Sequence, residues 1–170
     1  IEMECMDLLQ AVHTFSGIEM ALWDLLGRKR GVPVYQLLGY AKAYPKLPYA
    51  SQLFGDTPAE TMAGCRAARS RGFRAVKCGW GPFGRVSHAL DEAIVAAARE
   101  AVGDDSLLMV DAGGSDAYWT NGYKWALRTA HMLAKYDVYW FEEALHPDAL
   151  EDYVQLRRNA PLPIAGGAVL

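Results

Sequence analysis

From position 47 onward, short apolar runs alternate with stretches in which apolar residues recur every three or four positions, the pattern of buried strands interleaved with amphipathic helices. The spacing predicts strands over Leu47 to Ser51, Phe73 to Gly79, Leu107 to Asp111, Val138 to Glu142 and Pro163 to Gly166. Alternation of this kind builds a parallel sheet, because each return to the same end of the sheet needs a crossover long enough to hold a helix. The helices carry start and stop signals. Thr57, Pro58 and Glu60 supply an N-cap, a first-turn proline and a carboxylate that reaches back to the cap, and Asp148 with Glu151 predicts a second capping box. The Ala-rich stretch Ala93 to Ala101 is expected to stop at Gly103, and a further helix is expected over Tyr123 to Lys135.

Before Leu47 the pattern changes. Ile18, Ala21, Leu22, Leu25 and Leu26 form an apolar stripe at helical spacing, which predicts a helix ending at Gly27, and a second short helix is expected over Val34 to Leu38. The stretch Tyr40 to Leu47, containing Pro45, reads as a boundary, so residues 1–46 and 47–170 are expected to form separate domains.

Composition narrows the class. With 170 residues, 52% hydrophobic and 22% charged, the chain can bury one substantial core, which excludes disorder and fibrous architectures. The net charge of -3 and scattered basic residues argue against a nucleic-acid surface. The tight basic run Arg28, Lys29, Arg30 directly follows the predicted helix, where the helix dipole favours cations. Cys5, Cys65 and Cys78 are odd in number and lack metal-type spacing, so free thiols and a cytoplasmic location are expected. No apolar stretch is long enough to span a membrane, and a start at Ile1 rather than Met makes a piece of something longer the expectation.

In a parallel α/β barrel the chemistry sits at the C-terminal ends of the strands. Asp111 and Glu142 each close an apolar run there, and carboxylates at the ends of neighbouring parallel strands face one patch of solvent, where they can hold a hard divalent cation. Lys77, with Cys78 and Gly79, closes the preceding strand; Glu143 follows Glu142, and Ala168 lies just beyond Gly166 and Gly167. Each residue alone also fits a helix cap, a surface ion pair or a solvated edge, but three successive strands ending in charge is easier to explain as a site. Trp80, with Gly81, Pro82 and Phe83, is expected to form a compact loop over that site. His146 is open to two readings, a loop contact to substrate or a surface histidine. His13, His88 and His131 have no metal-type spacing, Cys78 reads as a packing residue, and Gly79 to Gly84 lacks the lysine and glycine order of a phosphate loop.

The strings ALWDLLGRKRGVPVYQLLG (Ala21 to Gly39), GFRAVKCGWGPFG (Gly72 to Gly84), VDAGG (Val110 to Gly114), WFEEAL (Trp140 to Leu145) and PIAGGA (Pro163 to Ala168), in this order, resemble the mandelate racemase / muconate lactonizing enzyme branch of the enolase superfamily. The resemblance implies an α/β fold, a partial TIM-type (β/α) barrel of about five strands, preceded by helices from the end of an α+β capping domain. It implies one Mg²⁺ held by three strand-end carboxylates, of which Asp111 and Glu142 match two while Ala168 stands where a Glu is expected. It implies a Lys-x-Lys pair, of which Lys77 matches the residue that neutralises a substrate carboxylate and Gly79 replaces the second lysine.

A small-molecule carboxylate, a hydroxy acid or sugar acid, is then the expected substrate, with Lys77, Trp80 and His146 as candidate contacts. The expected reaction is proton abstraction next to that carboxylate, in a dehydratase, racemase or cycloisomerase. The departures also support a second expectation, a non-catalytic remnant acting as an interaction module or without function: Ala168 weakens the metal set, and Ala144 stands where a Pro usually follows the acidic pair. A complete barrel has eight strands and about 250 residues, so a homo-oligomer or a longer chain is expected, and the family's histidine base falls beyond Leu170.

Overall fold

The computed structural model describes residues 11–113 and 121–167; Cys5, the His13 side chain, Gly114 and Ala168 lie outside the described residues. The chain divides into two compact units, Ile1–Lys46 and Leu47–Leu170.

In the first unit, helix α1 spans Ala11–Arg30 and the single turn α2 spans Val34–Leu37. The expected stop at Gly27 is not where α1 ends. A Cβ at Gly27 would lie 2.9 Å from the carbonyl oxygen of Val32, and the Val32 N–H donates to the Gly27 carbonyl at 3.1 Å. Gly27 therefore makes room for the returning chain, and the helix is left instead at Gly31, whose φ is 65°. Arg28, Lys29 and Arg30 form the last helical turn itself, where their charge opposes the carbonyl end of the dipole.

The second unit alternates strictly: β1 (Ala50–Leu53), α3 (Pro58–Ser70), β2 (Ala75–Gly79), α4 (His88–Val102), β3 (Leu107–Asp111), α5 (Tyr123–Ala134), β4 (Val138–Glu142), α6 (Leu150–Asn159) and β5 (Ile164–Ala165). The strands form one five-stranded sheet in sequence order, with every pairing parallel. Neighbours in sequence that are also neighbours in the sheet, each pair joined through a helix, make this the open arc of a (β/α) barrel.

Strands β3 and β4 fall where the apolar runs predict. Strand β1 starts at Ala50 rather than Leu47, since Pro48 has no N–H to give a ladder. Strands β2 and β5 are shorter than their apolar runs because pairing begins at Ala75 and is limited to Ile164 and Ala165. The Thr57–Glu60 capping box is formed, with both reciprocal bonds present, and Ser87 caps α4 through the Leu90 N–H. The second expected box is absent: the N-cap of α6 is Ala149, and the Asp148 carboxylate turns instead to within 3.6 Å of His146 Nδ1.

One face of the sheet is covered by helices. Val76, Cys78, Leu108, Val110 and Phe141 are buried there against Cys65 and Ala68 of α3, Ile94 and Ala98 of α4, Ala130 and Leu133 of α5 and Leu156 of α6. Phe83 enters this core from the loop after β2, stacked on Phe54 at 5.2 Å and edge-on to Trp125 at 6.1 Å.

Thr57→Ala removes the cap oxygen that receives the Glu60 N–H and is expected to cost about 1 kcal/mol. Urea unfolding checks this, with Thr57→Ser expected to stay within about 0.5 kcal/mol of the parent.

Candidate metal centre

Side chains along a strand alternate between faces, so once Val76, Cys78, Leu108, Val110 and Phe141 are committed to the helices, Lys77, Asp111 and Glu142 must face the other way. Register brings them level. Gly79 pairs with Asp111, Asp111 with Glu142, and Glu142 with Ala165, so the strands end in one row. Lys77, one pleat below Gly79, reaches up to that row.

The three charges meet. Lys77 Nζ donates to Asp111 Oδ2 at 3.0 Å and to Glu142 Oε1 at 2.8 Å, with side-chain exposures of only 11%, 14% and 18% for the three. The remaining carboxylate oxygens are also satisfied. Asp111 Oδ1 accepts the Gly113 N–H at 3.2 Å, and Glu142 Oε2 accepts the Trp140 indole N–H at 2.9 Å. Burial opposes the Lys77 ammonium, but hydrogen bonds and charge from Glu142 and Asp111 outweigh it and raise its pKa above the ordinary lysine value. Burial likewise raises the Asp111 carboxyl above its ordinary pKa, with the Lys77 hydrogen bond and charge offsetting only part of the effect.

An aromatic group supports this cluster. Tyr49 lies edge-on to Trp140 at 5.9 Å, Tyr139 packs on Trp140 at 5.5 Å, and Lys77 Nζ stands 5.6 Å from the centre of the Tyr49 ring. Neither Trp140 nor Tyr49 stood out in the sequence as a site residue. The signal for Trp140 was available, because a residue two places before a strand-end acid shares its face.

Beside the cluster is a cavity of about 390 Å³ lined by Ser51, Gln52, Leu53, Lys77, Gly79, Trp80 and Asp111. Trp80 is on its rim with a left-handed backbone, φ 57°, and its N–H donates to the Asp111 carbonyl at 3.1 Å. The expected loop over the site is divided in its roles: Trp80 borders the cavity, whereas Phe83 is 1% exposed and belongs to the core. His146 lies in the loop after β4, where its Nδ1 accepts the Asp148 N–H at 3.3 Å. Cys78 is in the packing on the helix side, its sulphur 3.6 Å from that of Cys65, and both thiols are free.

Two hard carboxylate oxygens held on one cationic group are the donor type that magnesium takes, so the residues present fit such an ion with two protein ligands. Among the described residues there is no group of three or more His, Cys, Asp or Glu side chains that could hold a metal, and position 168 lies outside them. Gly79 has no room to spare. A Cβ there would stand 2.7 Å from the carbonyl oxygen of Asp111 and 2.9 Å from its Cβ.

Residues 60–170 match the model of the enolase C-terminal domain-like family, and residues 3–39 match the mandelate racemase / muconate lactonizing enzyme N-terminal domain. Among solved structures, a predicted mandelate racemase from Rhodobacter sphaeroides is 50% identical with a TM-score of 0.79, over 95% of this chain and 41% of that one. The 3,6-anhydro-D-galactonate cycloisomerase from Zobellia galactanivorans is 34% identical with a TM-score of 0.76, over 94% of this chain and 42% of that one. D-glucarate dehydratase from Agrobacterium tumefaciens, complexed with magnesium, is 28% identical with a TM-score of 0.74, over 96% of this chain and 47% of that one. The chain thus spans less than half the length of these structures.

Gly79→Ala is expected to destabilise the chain by about 1–3 kcal/mol, since the new methyl must displace backbone rather than a mobile side chain. Thermal unfolding of the variant checks it, and a neutral result would mean that β2 and β3 separate more easily than their register suggests.

Proposed function

This chain belongs to the enolase superfamily, in its mandelate racemase / muconate lactonizing enzyme branch, and on that premise we propose that it is part of a magnesium-dependent enzyme removing a proton next to a carboxylate. The substrate class is a hydroxy acid or sugar acid. One observation carries the reading: the Asp111 and Glu142 carboxylates converge on a single cationic group at the strand ends.

In this reading Asp111 and Glu142 hold Mg²⁺, and residues 1–46 are the end of a capping domain. The ion, when bound, would stabilise the negative charge that builds on the substrate carboxylate as its neighbouring carbon loses a proton. With only two protein carboxylates, water and substrate would supply the remaining ligands, as magnesium ordinarily permits. A glucarate dehydratase of similar fold carries magnesium, which supports the choice of ion.

Charge balance supports the role of Lys77. Two carboxylates and one ammonium leave the cluster with one net negative charge, and a divalent cation converts this to one net positive charge, matched to a monoanionic carboxylate. Lys77 would serve by its charge, binding the substrate carboxylate beside the two acids. Trp80 would wall the substrate on the β2 side, and His146 would reach it from the β4 loop.

Gly79 bears on the reaction type. Racemisation through two bases needs a proton acceptor on each face of the carbon, and the β2 end offers none besides Lys77. Dehydration or cycloisomerisation, with one base from elsewhere in the site, is therefore the preferred reading. Relatives are named as a cycloisomerase and a dehydratase, and one at 50% identity as a predicted mandelate racemase, so the names do not separate these reactions.

Calorimetric titration with MgCl₂ tests the metal assignment: the parent chain is expected to bind, and Asp111→Ala to bind at least about tenfold more weakly. Identical titrations would remove the proposal. The residue at Ala168, where a third carboxylate is expected, favours a second reading, a non-catalytic remnant of the family. Under that reading the parent binds magnesium weakly if at all and Ala168→Glu strengthens the binding.

A further inference from the structure

We propose that Trp140 is a positioning residue that selects which divalent cation the Asp111–Glu142 pair accepts, by occupying one oxygen of Glu142 so that this carboxylate presents a single donor. The proposal rests on the magnesium reading above and adds to it a residue that acts on the ion only through Glu142.

The geometry is specific. Glu142 Oε1 faces Lys77 at 2.8 Å, while Oε2 receives the indole N–H of Trp140 at 2.9 Å. An indole nitrogen is a donor only, so it can cap a carboxylate oxygen but cannot replace it as a ligand. The ring is held in place from two sides, by Tyr49 at 5.9 Å with planes 81° apart and by Tyr139 at 5.5 Å. The strand contributes too. Leu108 pairs with Val138 but Val110 pairs with Phe141, so β4 carries one residue more than β3 between these rungs, and Trp140 lies within that shift while Glu142 follows it in regular pairing with Asp111.

The consequence follows from the two ions' coordination. Magnesium requires near-octahedral geometry with short bonds and is content with carboxylates that each give one oxygen. Calcium takes six to eight oxygens at longer range and gains from carboxylates that give two. Asp111 is restricted in the same sense, since its Oδ1 accepts the Gly113 N–H at 3.2 Å and only Oδ2 faces Lys77. Each acid thus has one oxygen held from outside the pair, by the Gly113 backbone or the Trp140 side chain, and turns only the other toward Lys77, where a cation is shared. Of these two restraints, Trp140 is the one a substitution can remove.

Titration of the purified full chain with MgCl₂, and separately with CaCl₂, tests this. Trp140→Phe keeps a ring against Tyr49 and loses the N–H; it is expected to weaken Mg²⁺ binding about tenfold while Ca²⁺ binding holds or strengthens, so that the Mg²⁺/Ca²⁺ affinity ratio falls about tenfold or more. A residue with only a structural role would weaken both ions equally, and an unchanged ratio overturns the proposal. Replacement of Trp140 by benzothienylalanine, which exchanges the N–H for sulphur within the same bicyclic shape, gives the same readout should the phenylalanine variant not fold. If the parent chain binds neither ion, the magnesium reading itself has failed; if it binds and the ratio is unmoved by either replacement, only the role of Trp140 has failed.

Discussion

A single ammonium group shared by two carboxylates governs the business end of this sheet. Lys77, Asp111 and Glu142 are all less than one-fifth exposed, and charges so placed are tolerated only when their partners are in position. Every carboxylate oxygen has a donor: Lys77 twice, the Gly113 backbone and the Trp140 indole. Nothing in the group is left to water alone, which gives these strand ends a defined geometry rather than a loose acidic rim.

That geometry is inherited from the sheet. Because Gly79, Asp111, Glu142 and Ala165 lie in one hydrogen-bonded row, the side chains at the strand ends share a level, and the pleat decides which of them share a face. The apolar face leaves no choice: burying Val76, Cys78, Val110 and Phe141 under the helices sends the charged residues to the opposite side. A slip of one residue would reverse both faces at once, placing Lys77 and Asp111 in the core. Hydrophobic burial thus holds the polar site in register. The close approach of β2 to β3 has its own requirement, since no side chain fits at Gly79 beside the Asp111 backbone.

The site is also less symmetrical than its three charges suggest. On the β2 side the wall is a left-handed turn at Trp80 and Gly81, with φ of 57° and 58°, whose Trp80 N–H binds the Asp111 carbonyl. Toward β4 it is an aromatic group in which Tyr49 stands near the Lys77 charge and Trp140 bonds Glu142 directly. The strained turn places a large ring at the cavity rim, and the aromatic group restrains a carboxylate from behind. These are different means to one end, keeping charged side chains in a single arrangement.

Much of this was legible in the residues. The period of the apolar positions identified the βα alternation, the turn and cap chemistry at Thr57 and Gly103 located helix ends, and Asp111, Glu142 and Lys77 stood out because charge at the end of an apolar run needs a reason. Less accessible were features that depend on a second segment. Gly27 looked like a helix stop because only the fold brings Val32 back across it, and Phe83 looked like part of a lid because only the fold provides Phe54 and Trp125 for it to pack against. Asp148 resembled a cap, but the helix takes Ala149 as its N-cap and no side chain caps it. Local propensity and periodicity are properties of neighbours along the chain, so the sequence by itself determined which elements form and which of their ends carry charge. Distances between atoms far apart in sequence depend on register and packing, and so only the tertiary structure decided that one ammonium bridges two acids and that a tryptophan holds one of them.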